Sequence, residues 1–402
     1  MATRIDSAAG RAPASGRVGL AILGCGYVAN MYRLTLPAHP GLELRGVHDR
    51  ERSRGEAMAR LTGVRHYPDL DALLDDGTVA IVANLTNPSE HHATTTRLLE
   101  AGKHVYTEKP LAMRLDHARA LAALAEARGL HLVSAPTTLM GPVAQTLWRA
   151  ARDGRAGRVR LVHAAMEDGM VPRAPVHRWV NEAGTPWPAV DEYATGCTVE
   201  HAGYVLSWLC AMFGPVVRLT AHAEELMPDK VEGLALPATP DLSVATLRFG
   251  DGTVARMTNG LYAGHDHALT LWGDEGALAV DDPRSDVSPV RLARYRTVRR
   301  RRFLGRARRL PPLGPAERIA RYRGSQTRDF CRALADMAAA LTEGRAPYTG
   351  GAFAAHLAEV TLACHHGTHP SGERAGFDGR LRTMPYETVT RFPAVEPLAW
   401  AR

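Results

Sequence analysis

The sequence predicts an α/β protein with a doubly wound parallel sheet at the N-terminus and a second, α+β domain with a large, mostly antiparallel sheet. Two observations predict this fold class. Short apolar runs alternate with helical stretches over the first third of the chain, whereas longer stretches of alternating apolar and polar residues begin near Val159. The composition, 45% hydrophobic and 23% charged over 402 residues, is typical of a globular protein.

The elements of the first domain alternate between strand and helix. Strands are predicted at residues 17–23, Leu42–His48, 78–85 and His104–Thr107, and helices at 27–33 and 90–101. Because strands that alternate with helices require right-handed parallel crossovers, this sheet is predicted to be doubly wound. The predicted divisions are a flexible leader at 1–16, a first domain at 17–140 and a second domain at 141–402.

The second domain has the pattern of an antiparallel sheet. Its strands are predicted at residues 159–166, 216–222, 243–249, 253–259 and 268–272, and its last helices at 325–343 and 352–365. Gly250, Asp251 and Gly252 predict a hairpin turn between two of these strands. Residues 281–323 are rich in Pro and Arg and are predicted to form an insertion or long loop.

Several classes of protein are excluded. No run approaches the roughly 18 apolar residues of a membrane helix, and the leader lacks the apolar centre of a secretory signal. Five cysteines without a paired spacing predict a reduced, cytoplasmic location. The group Cys364, His365, His366 and His369 fits no ligand spacing, so no metal site is predicted.

The net charge of +7 comes from one segment. Between Arg291 and Arg309 there are ten arginines and no acid, and the rest of the chain has 39 basic and 42 acidic residues. The segment is predicted to be a solvated loop or helix face, with a phosphate-bearing or acidic ligand or partner as the alternative. Since no helix-turn-helix or aromatic RNA-binding sheet is recognisable, nucleic acid is not a predicted partner.

A glycine-rich turn follows the first predicted strand. Gly24, Gly26 and Ala29 form the pattern G-x-G-x-x-A, with Tyr27 and Val28 between them, at the start of a helix. The first glycine permits a tight turn, the second lets a pyrophosphate approach the backbone, and the small third residue packs helix on strand. In this position the pattern predicts a Rossmann domain that binds a dinucleotide.

The end of the second predicted strand bears on the choice of coenzyme. Asp49 lies twenty positions beyond Ala29 and would accept hydrogen bonds from both ribose hydroxyls of NAD, while its charge would repel a 2′-phosphate. Arg50 and Arg52 follow directly and could stack on adenine or meet a phosphate. NAD is therefore the predicted coenzyme and NADP the alternative.

Residues 101–112 read AGKHVYTEKPLA, and residues 87–91 upstream read NPSEH. Together with the glycine turn, these motifs resemble the Gfo/Idh/MocA family of NAD(P)-dependent oxidoreductases over the whole first domain and, more weakly, the second. The resemblance implies that Lys109 lies near the nicotinamide and the reacting hydroxyl. It implies a cis peptide at Pro110 and cofactor contacts from the two loops; the residues it places there are Thr86, Asn87, His91, Glu108, Lys109 and Pro110.

The lysine usage supports a role for Lys109 in proton transfer. The chain has three lysines, at 103, 109 and 230, against 46 arginines. A guanidinium does not give up its proton in a protein, whereas an ammonium can be tuned into the titrating range. Lys109 is therefore predicted to be catalytic, and the alternative is a lysine that only pairs with Glu108.

A second candidate catalytic residue lies in residues 196–208, which read GCTVEHAGYVLSW. The resemblance implies the pattern D-x-G-x-H here, and measured back from Trp208 the family histidine falls on His201, a candidate general acid or base. The alternative is a histidine buried at the domain interface. The family Asp and Gly fall on Cys197 and Val199, and Glu200 is the local carboxylate that might substitute, although in sequence it points elsewhere.

The remaining candidates follow the strand that begins at Val159. Asp168, Arg178 and Trp179 are predicted to line a substrate pocket, with Trp179 as a stacking surface for a sugar ring, together with Glu200 and His201. A surface loop is the equally weighted alternative for residues 167–179. The helical pair His356 and Glu359 is predicted to be structural.

These features predict an enzyme that transfers hydride between nicotinamide and a secondary alcohol or ketone of a sugar, nucleotide-sugar or cyclitol. One alternative is a glycosidase or lyase that retains and recycles NAD. Another is a non-catalytic NAD-binding regulatory protein, which the residue at Cys197 leaves open. The resemblance further implies a homodimer or homotetramer that associates through the open face of the second sheet.

Overall fold

The computed structural model describes residues 16–314, 328–367 and 385–401, so almost all of the predicted leader lies outside the described residues. The first sheet has six parallel strands in the order β3-β2-β1-β4-β5-β6. They are β1 (Val18–Leu23), β2 (Leu42–His48), β3 (Arg65–His66), β4 (Ile81–Asn84), β5 (His104–Thr107) and β6 (Leu132–Ser134). This order opens a crevice at the carboxyl ends of β1 and β4, where ligands bind in such sheets.

Helices cover both faces of this sheet. The helices between its strands are α1 (Ala29–Thr35), α2 (Arg52–Thr62), α3 (Leu70–Leu74), α4 (His91–Glu100) and α5 (Leu115–Ala127). All six residues of β1 are buried, and alternate residues join different cores: Leu20 and Ile22 pack with α1 and α2, and Ala21 and Leu23 pack with α4 and α5. A central strand covered on both faces needs this continuous apolar run.

The second sheet has ten strands among the described residues. The elements after β6 are α6 (Pro142–Arg152), β7 (Val159–Glu167), α7 (Ala189–Thr195), α8 (Cys197–Phe213), β8 (Val216–Glu224), β9 (Leu242–Phe249), β10 (Val254–Gly260), β11 (Leu269–Gly273), β12 (Gly276–Val280), β13 (Val290–Val298), β14 (Arg301–Leu304), β15 (Arg308–Arg309), α9 (Arg332–Glu343), α10 (Gly351–His365) and β16 (Tyr386–Glu387). The strand order is β14-β13-β12-β11-β7-β10-β9-β8-β16, with β15 paired to β13. The pairing of β7 with β10 is parallel and the others are antiparallel, which confirms the predicted fold class.

One face of this sheet is covered by helices. The inward residues of β9, such as Ala245, Leu247 and Phe249, are buried in a core that also contains Trp208 of α8 and Leu357 of α10. The intervening residues of β9 are exposed, as the predicted alternation requires. The hairpin turn predicted at residues 250–252 joins β9 to β10, and Gly252 has φ +91°.

The last two long helices contribute to the first sheet as well. Leu334 and Met337 of α9 lie in the same core as Leu20, and Ala354 and Ala358 of α10 lie in the core on the opposite face. The first sheet is therefore completed by residues far along the chain. The division of the chain at residue 140 stays a prediction.

The structure corrects the prediction for the described part of residues 281–323; residues 315–323 lie outside it. Instead of a long loop, residues 290–309 contain β13, β14 and β15 at one edge of the second sheet. Val290 and Leu292 face the core and pair with β12, which is why a segment so rich in arginine is a strand. The arginines alternate with these residues, lie in the β13–β14 hairpin or lie in and just before β15, and nearly all of them are exposed.

Other boundaries differ by a few residues. The strand predicted at 78–85 is limited to β4, and the short strand β3 was not predicted. The helix predicted at 325–343 begins at Arg332; residues 325–327 lie outside the described residues, and 328–331 are not helical. Within the described ranges, no helix is long and apolar enough to cross a membrane, and no group of three His, Cys, Asp or Glu side chains is placed to hold a metal. His369 of the group considered above lies outside the described residues.

Candidate active site

The glycine turn lies at the crevice between β1 and β4. Gly24 has φ +92°, and a Cβ there would lie 2.7 Å from the carbonyl carbon and oxygen of Leu85, so only glycine fits. A Cβ at Gly26 would meet no atom within 4 Å. The first glycine is thus required by the fold, whereas the space above the second is available to a ligand.

Asp49 fastens this turn to the end of β2. Its two carboxylate oxygens accept hydrogen bonds from the backbone N–H groups of Cys25, at 2.6 Å, and Glu51, at 2.7 Å. It also lines a cavity of about 270 Å³ that reaches the glycine turn and contains three arginines, Arg50, Arg54 and Arg97. A carboxylate oxygen has lone pairs beyond those that the backbone occupies, so Asp49 can still accept from a ligand hydroxyl.

Two more cavities continue from this one across the molecule. The second, of about 350 Å³, shares Gly26, Thr86 and Asn87 with the first and runs past Tyr27, Val28, Glu108 and Lys109. The third, of about 410 Å³, is lined by Asp168, Trp179 and residues of α8. The residues common to the second and third cavities are Tyr27, Trp187, Glu192, Glu200, His201, Arg284 and Arg328.

This continuous space fits a dinucleotide. The first cavity offers Asp49, the glycine turn offers open space above Gly26, and the second cavity ends beside Lys109. The shape and donor groups therefore match an adenosine half, a diphosphate at the start of α1 and a nicotinamide half, in that order. The third cavity is left for a second ligand.

Lys109 lines the second cavity and contacts Glu200, which lines both the second and the third. It follows β5, the Lys109–Pro110 peptide is cis, and the ammonium forms a close ion pair with Glu200 of α8. Burial alone would lower the pKa of Lys109, but Glu200, followed by Glu192, raises it well above its usual value. This differs from the expectation that the ammonium is tuned towards neutrality: the ion pair with Glu200 keeps Lys109 protonated.

The carboxylate beside Lys109 is thus supplied by Glu200, not by its sequence neighbour. Glu108 accepts hydrogen bonds from the Tyr32 hydroxyl, at 2.5 Å, and from the backbone N–H of Lys109, at 3.0 Å. Glu200 is nearly fully buried and turns towards Lys109, contrary to the expectation that it points elsewhere. Glu192 of α7 is half-buried; burial and then repulsion from Glu200 raise its pKa well above the usual value.

His201 is next to Glu200 on α8 and lines both the second and third cavities. Its Nδ1 lies 2.7 Å from Oδ2 of Asp168, which leaves Nε2 as the nitrogen available to a ligand. The side chain of Asp168 is 8% exposed, and its Oδ1 lies 3.1 Å from both His267 Nε2 and Arg284 Nη1. Although burial raises the pKa of Asp168, its contacts with His201, and then with His267 and Arg284, lower it well below its usual value, so the carboxylate beside His201 is ionised.

Two family models match the chain. One, described as the oxidoreductase family with an NAD-binding Rossmann fold, matches residues 18–135, and the other, described as the GFO/IDH/MocA C-terminal domain, matches residues 144–279. Together they cover more than half of the chain. The chain belongs to the Gfo/Idh/MocA oxidoreductase family.

Among its curated relatives is a dTDP-3,4-didehydro-2,6-dideoxy-α-D-glucose 3-reductase from Streptomyces antibioticus, 27% identical over 270 residues, which are 66% of this chain and 76% of the reductase. An inositol 2-dehydrogenase from Saccharopolyspora erythraea is 27% identical over 278 residues, 66% of this chain and 74% of the dehydrogenase. The crystal structure of a 3-ketoreductase from Actinomadura kijaniata, in complex with TDP-benzene and NADP, has a TM-score of 0.67 and 19% identity over 88% of this chain and 98% of that one. That likeness shows a shared fold.

The Gfo/Idh/MocA signature residues after β4 do not all reach the cavities. Thr86 and Asn87 line the first and second cavities, and Arg50 lines the first. His91 is fully buried, with its ring nitrogens 2.6 Å and 2.9 Å from the carbonyl oxygens of Pro110 and Thr86. It therefore holds the loops after β4 and β5 together beneath the cavity surface. Pro110 is likewise buried and does not line these cavities.

The residues predicted for the substrate pocket separate into two groups. Trp179 lines the third cavity and packs edge-on against Trp187, with ring centroids 5.1 Å apart. Arg178 is exposed and lines none of the three cavities, because the short 3₁₀ turn at Val176–Arg178 directs consecutive side chains to different sides. Cys197 lines the third cavity at the position of the family aspartate, and carboxylates reach this region from Asp168 and Glu200 instead.

Several residues of the site were not predicted. Tyr204 lines the second cavity, and Trp187, Glu192, Arg284 and Arg328 line the second and third. Tyr204 lies three residues after His201 on α8, so its helical spacing could have indicated the same face. Arg284 and Arg328 follow irregular segments, where sequence spacing carries no information about position. None of the ten arginines at 291–309 lines these cavities.

Proposed function

We propose that this protein transfers hydride between a nicotinamide coenzyme and a secondary alcohol or ketone carbon of a sugar, nucleotide-sugar or cyclitol. The observation that carries the proposal is the meeting of Lys109 and His201 at the junction of the second and third cavities. A substrate carbinol in the third cavity would have its oxygen between the two side chains. The activities named for the reductase and the inositol dehydrogenase support this substrate range.

In this proposal, the first and second cavities hold the coenzyme. Gly26 leaves room for the diphosphate, Asp49 accepts from the ribose hydroxyls, and Thr86 and Asn87 bound the space next to the nicotinamide half. When bound, the coenzyme supplies or accepts the hydride. The charge of Asp49 supports NAD over NADP, although Arg50, Arg54 and Arg97 in the same cavity leave NADP as the alternative.

The proton is handled by the side chains at the junction. Since the ion pair with Glu200 keeps Lys109 protonated, its ammonium donates a hydrogen bond to the reacting oxygen and stabilises negative charge there. Nε2 of His201 accepts the hydroxyl proton in the oxidation direction and returns it in the reduction direction. Asp168 orients the ring through Nδ1 and stabilises the imidazolium that forms.

The third cavity would position the substrate. Trp179 and Trp187 offer apolar ring surfaces on which a sugar or cyclitol ring can pack, while polar groups of Asp168 and Arg284 lie at the same cavity. The hypothesis of a non-catalytic protein depended on the absent carboxylate at Cys197. Negative charge is instead provided by Asp168, which contacts His201, and by Glu200, which contacts Lys109. This arrangement favours an enzyme over a non-catalytic protein.

A screen of nicotinamide absorbance against sugars, cyclitols and nucleotide-sugars, in both reaction directions, tests this function. With a substrate found this way, the Lys109→Ala variant should have a kcat lower by about 100-fold or more, because it lacks the ammonium that stabilises the reacting oxygen. Coenzyme affinity, measured by fluorescence titration, should be retained.

The matched control is Arg152→Ala, since Arg152 is an exposed cation at the end of α6 that lines none of the three cavities. It should have the kcat of the unmodified protein. Coenzyme binding without any absorbance change across the panel would contradict hydride transfer, and an unchanged kcat in Lys109→Ala would remove Lys109 from the reaction.

A further inference from the structure

Arg328 lies in the part of the site that we assign to the substrate. Its side chain lines the second and third cavities and a small space below them that contains Tyr32, Tyr106 and Glu108. It does not line the first cavity, which contains the glycine turn and Asp49. The guanidinium is therefore placed beside Lys109 and His201 and away from the region that fits a coenzyme diphosphate.

Two aromatic rings hold the guanidinium in position. Its central carbon lies 4.9 Å from the ring centroid of Tyr204 and 5.1 Å from that of Phe330. Such stacking fixes the plane of a guanidinium but satisfies none of its N–H groups. Nη1 is shielded from solvent and has no hydrogen-bond partner among the described residues.

The charges around Arg328 leave it without a paired carboxylate in the described part of the chain. Glu200 pairs with Lys109, and Asp168 is shared by His201, His267 and Arg284. Asp282 contacts Arg284 and His267. No described carboxylate lies within 4.0 Å of a nitrogen of Arg328, whereas the other cations at the junction have such a partner.

The Tyr204 hydroxyl oxygen accepts one hydrogen bond from the guanidinium, but no carboxylate of the described residues pairs with it. Burial of such a cation is costly unless an anion joins it. We propose that Arg328 binds an oxyanion of the substrate, a carboxylate or a phosphate monoester on the sugar or cyclitol, beside the carbinol held by Lys109 and His201. This inference rests on the proposed function and narrows its substrate to an anionic one. Arg284 already contacts Asp168, whereas Arg328 has no carboxylate partner among the described residues. Arg328 is therefore the cation that can pair with a negatively charged group of the substrate.

The test compares hexoses with the matching hexuronates and hexose phosphates, so that the ring is constant and only the charge differs. The charged member should have a kcat/KM at least about tenfold higher than the neutral one, since hydrogen bonds to charged groups contribute about this much. In Arg328→Gln this ratio should fall to near one. Arg328→Lys, which keeps the charge but loses the planar fork, should retain part of the preference. The carboxylate and phosphate series distinguish the two oxyanions.

A binding measurement separates this inference from the proposed reaction. Calorimetry with the coenzyme-loaded protein, with hexuronates, hexose phosphates, acetate and inorganic phosphate as probes, should show binding that Arg328→Gln weakens about tenfold or more and Arg152→Gln leaves unchanged. Such binding without turnover would support the anion site and contradict hydride transfer. Turnover without any charge preference, or the absence of any Arg328-dependent anion binding, would overturn the anion site. Circular dichroism of both Arg328 variants verifies that they are folded.

Discussion

At the residue scale, Lys109 illustrates how tertiary neighbours decide the chemistry of a side chain. Its position after β5 could be expected from the sequence Glu108-Lys109-Pro110, but its protonation depends on Glu200, which lies on α8. A lysine buried among apolar groups would lose its proton more easily, whereas a paired carboxylate stabilises the ammonium. Lys109 is therefore better suited to donate a hydrogen bond than to act as the base.

The partnership of Asp168 with His201 gives a second prediction at this scale. Asp168→Asn should reduce kcat by about 10- to 100-fold with a smaller change in KM, because the amide cannot hold the imidazolium as a carboxylate does. Steady-state kinetics on the substrate found by the screen measures both constants. Asp281→Asn is the control, since Asp281 is an exposed carboxylate that pairs with Arg291 away from the cavities. Equal kcat in both variants would show that Asp168 does not orient His201.

At the scale of elements, the turn between β1 and α1 separates a structural glycine from a ligand-binding one. The Gly26→Ala variant should have the melting temperature of the unmodified protein, since the new methyl group meets no protein atom within 4 Å. Its coenzyme binding should be weaker by about tenfold or more. Tryptophan fluorescence titration measures the dissociation constant. Unweakened binding in Gly26→Ala would place the diphosphate elsewhere.

Gly24→Ala is the contrasting variant within the same turn. Its Cβ would lie within 2.8 Å of three backbone atoms of Leu85 and Thr86, at a φ of +92° that other residues rarely adopt. It should lower the free energy of unfolding by about 1–3 kcal/mol. Thermal unfolding of the two variants therefore tells whether the two glycines have different roles.

The edge hairpin shows why composition alone misleads at this scale. Ten arginines predict solvent exposure, and most of them are exposed, but exposure does not imply a loop. The side chains of Val290 and Leu292 are buried in the core, and the backbone of β13 pairs with β12 in an antiparallel arrangement. The period of two in these residues was therefore more informative than their charge.

At the scale of the whole molecule, α10 links the two sheets to the C-terminal segment at 385–401. His356 of α10 is fully buried; its Nε2 accepts from the backbone N–H of Val216, and its Nδ1 lies 2.9 Å from Oγ1 of Thr390. Glu359, one turn later, accepts from the backbone N–H groups of Val389 and Thr390. This supports the expectation that the pair is structural.

We expect His356 to make the protein sensitive to acid. Burial, reinforced by Arg391 and opposed by Glu359, lowers the pKa of His356 to about 4. Because the unfolded state binds this proton near pH 6.5, the unfolded form is favoured progressively as the pH falls from about 6.5 to about 4. This group alone should cost about 2 kcal/mol of stability at pH 5.

Thermal unfolding at pH 7 and pH 5 measures this effect. His356→Gln should show a smaller decrease in melting temperature between the two pH values than the unmodified protein, because glutamine does not titrate. His222→Gln is the control, since His222 is an exposed histidine of β8. An identical decrease in all three proteins would mean that His356 is not a source of the acid sensitivity.

The sequence by itself determined the features that depend on neighbouring residues: the alternation of strands and helices in the Rossmann half, the glycine turn with Asp49, and the positions of Lys109 and His201 in their motifs. Only the tertiary structure decided which groups meet. Glu200 reaches Lys109 across 91 positions, and Arg328 reaches the same junction from the approach to α9. Local steric and hydrophobic patterns depend on residues that are close in sequence, so a short stretch of sequence shows them. The charges around a buried group come from segments that are far apart in the chain, and their separation in sequence does not indicate their distance in space.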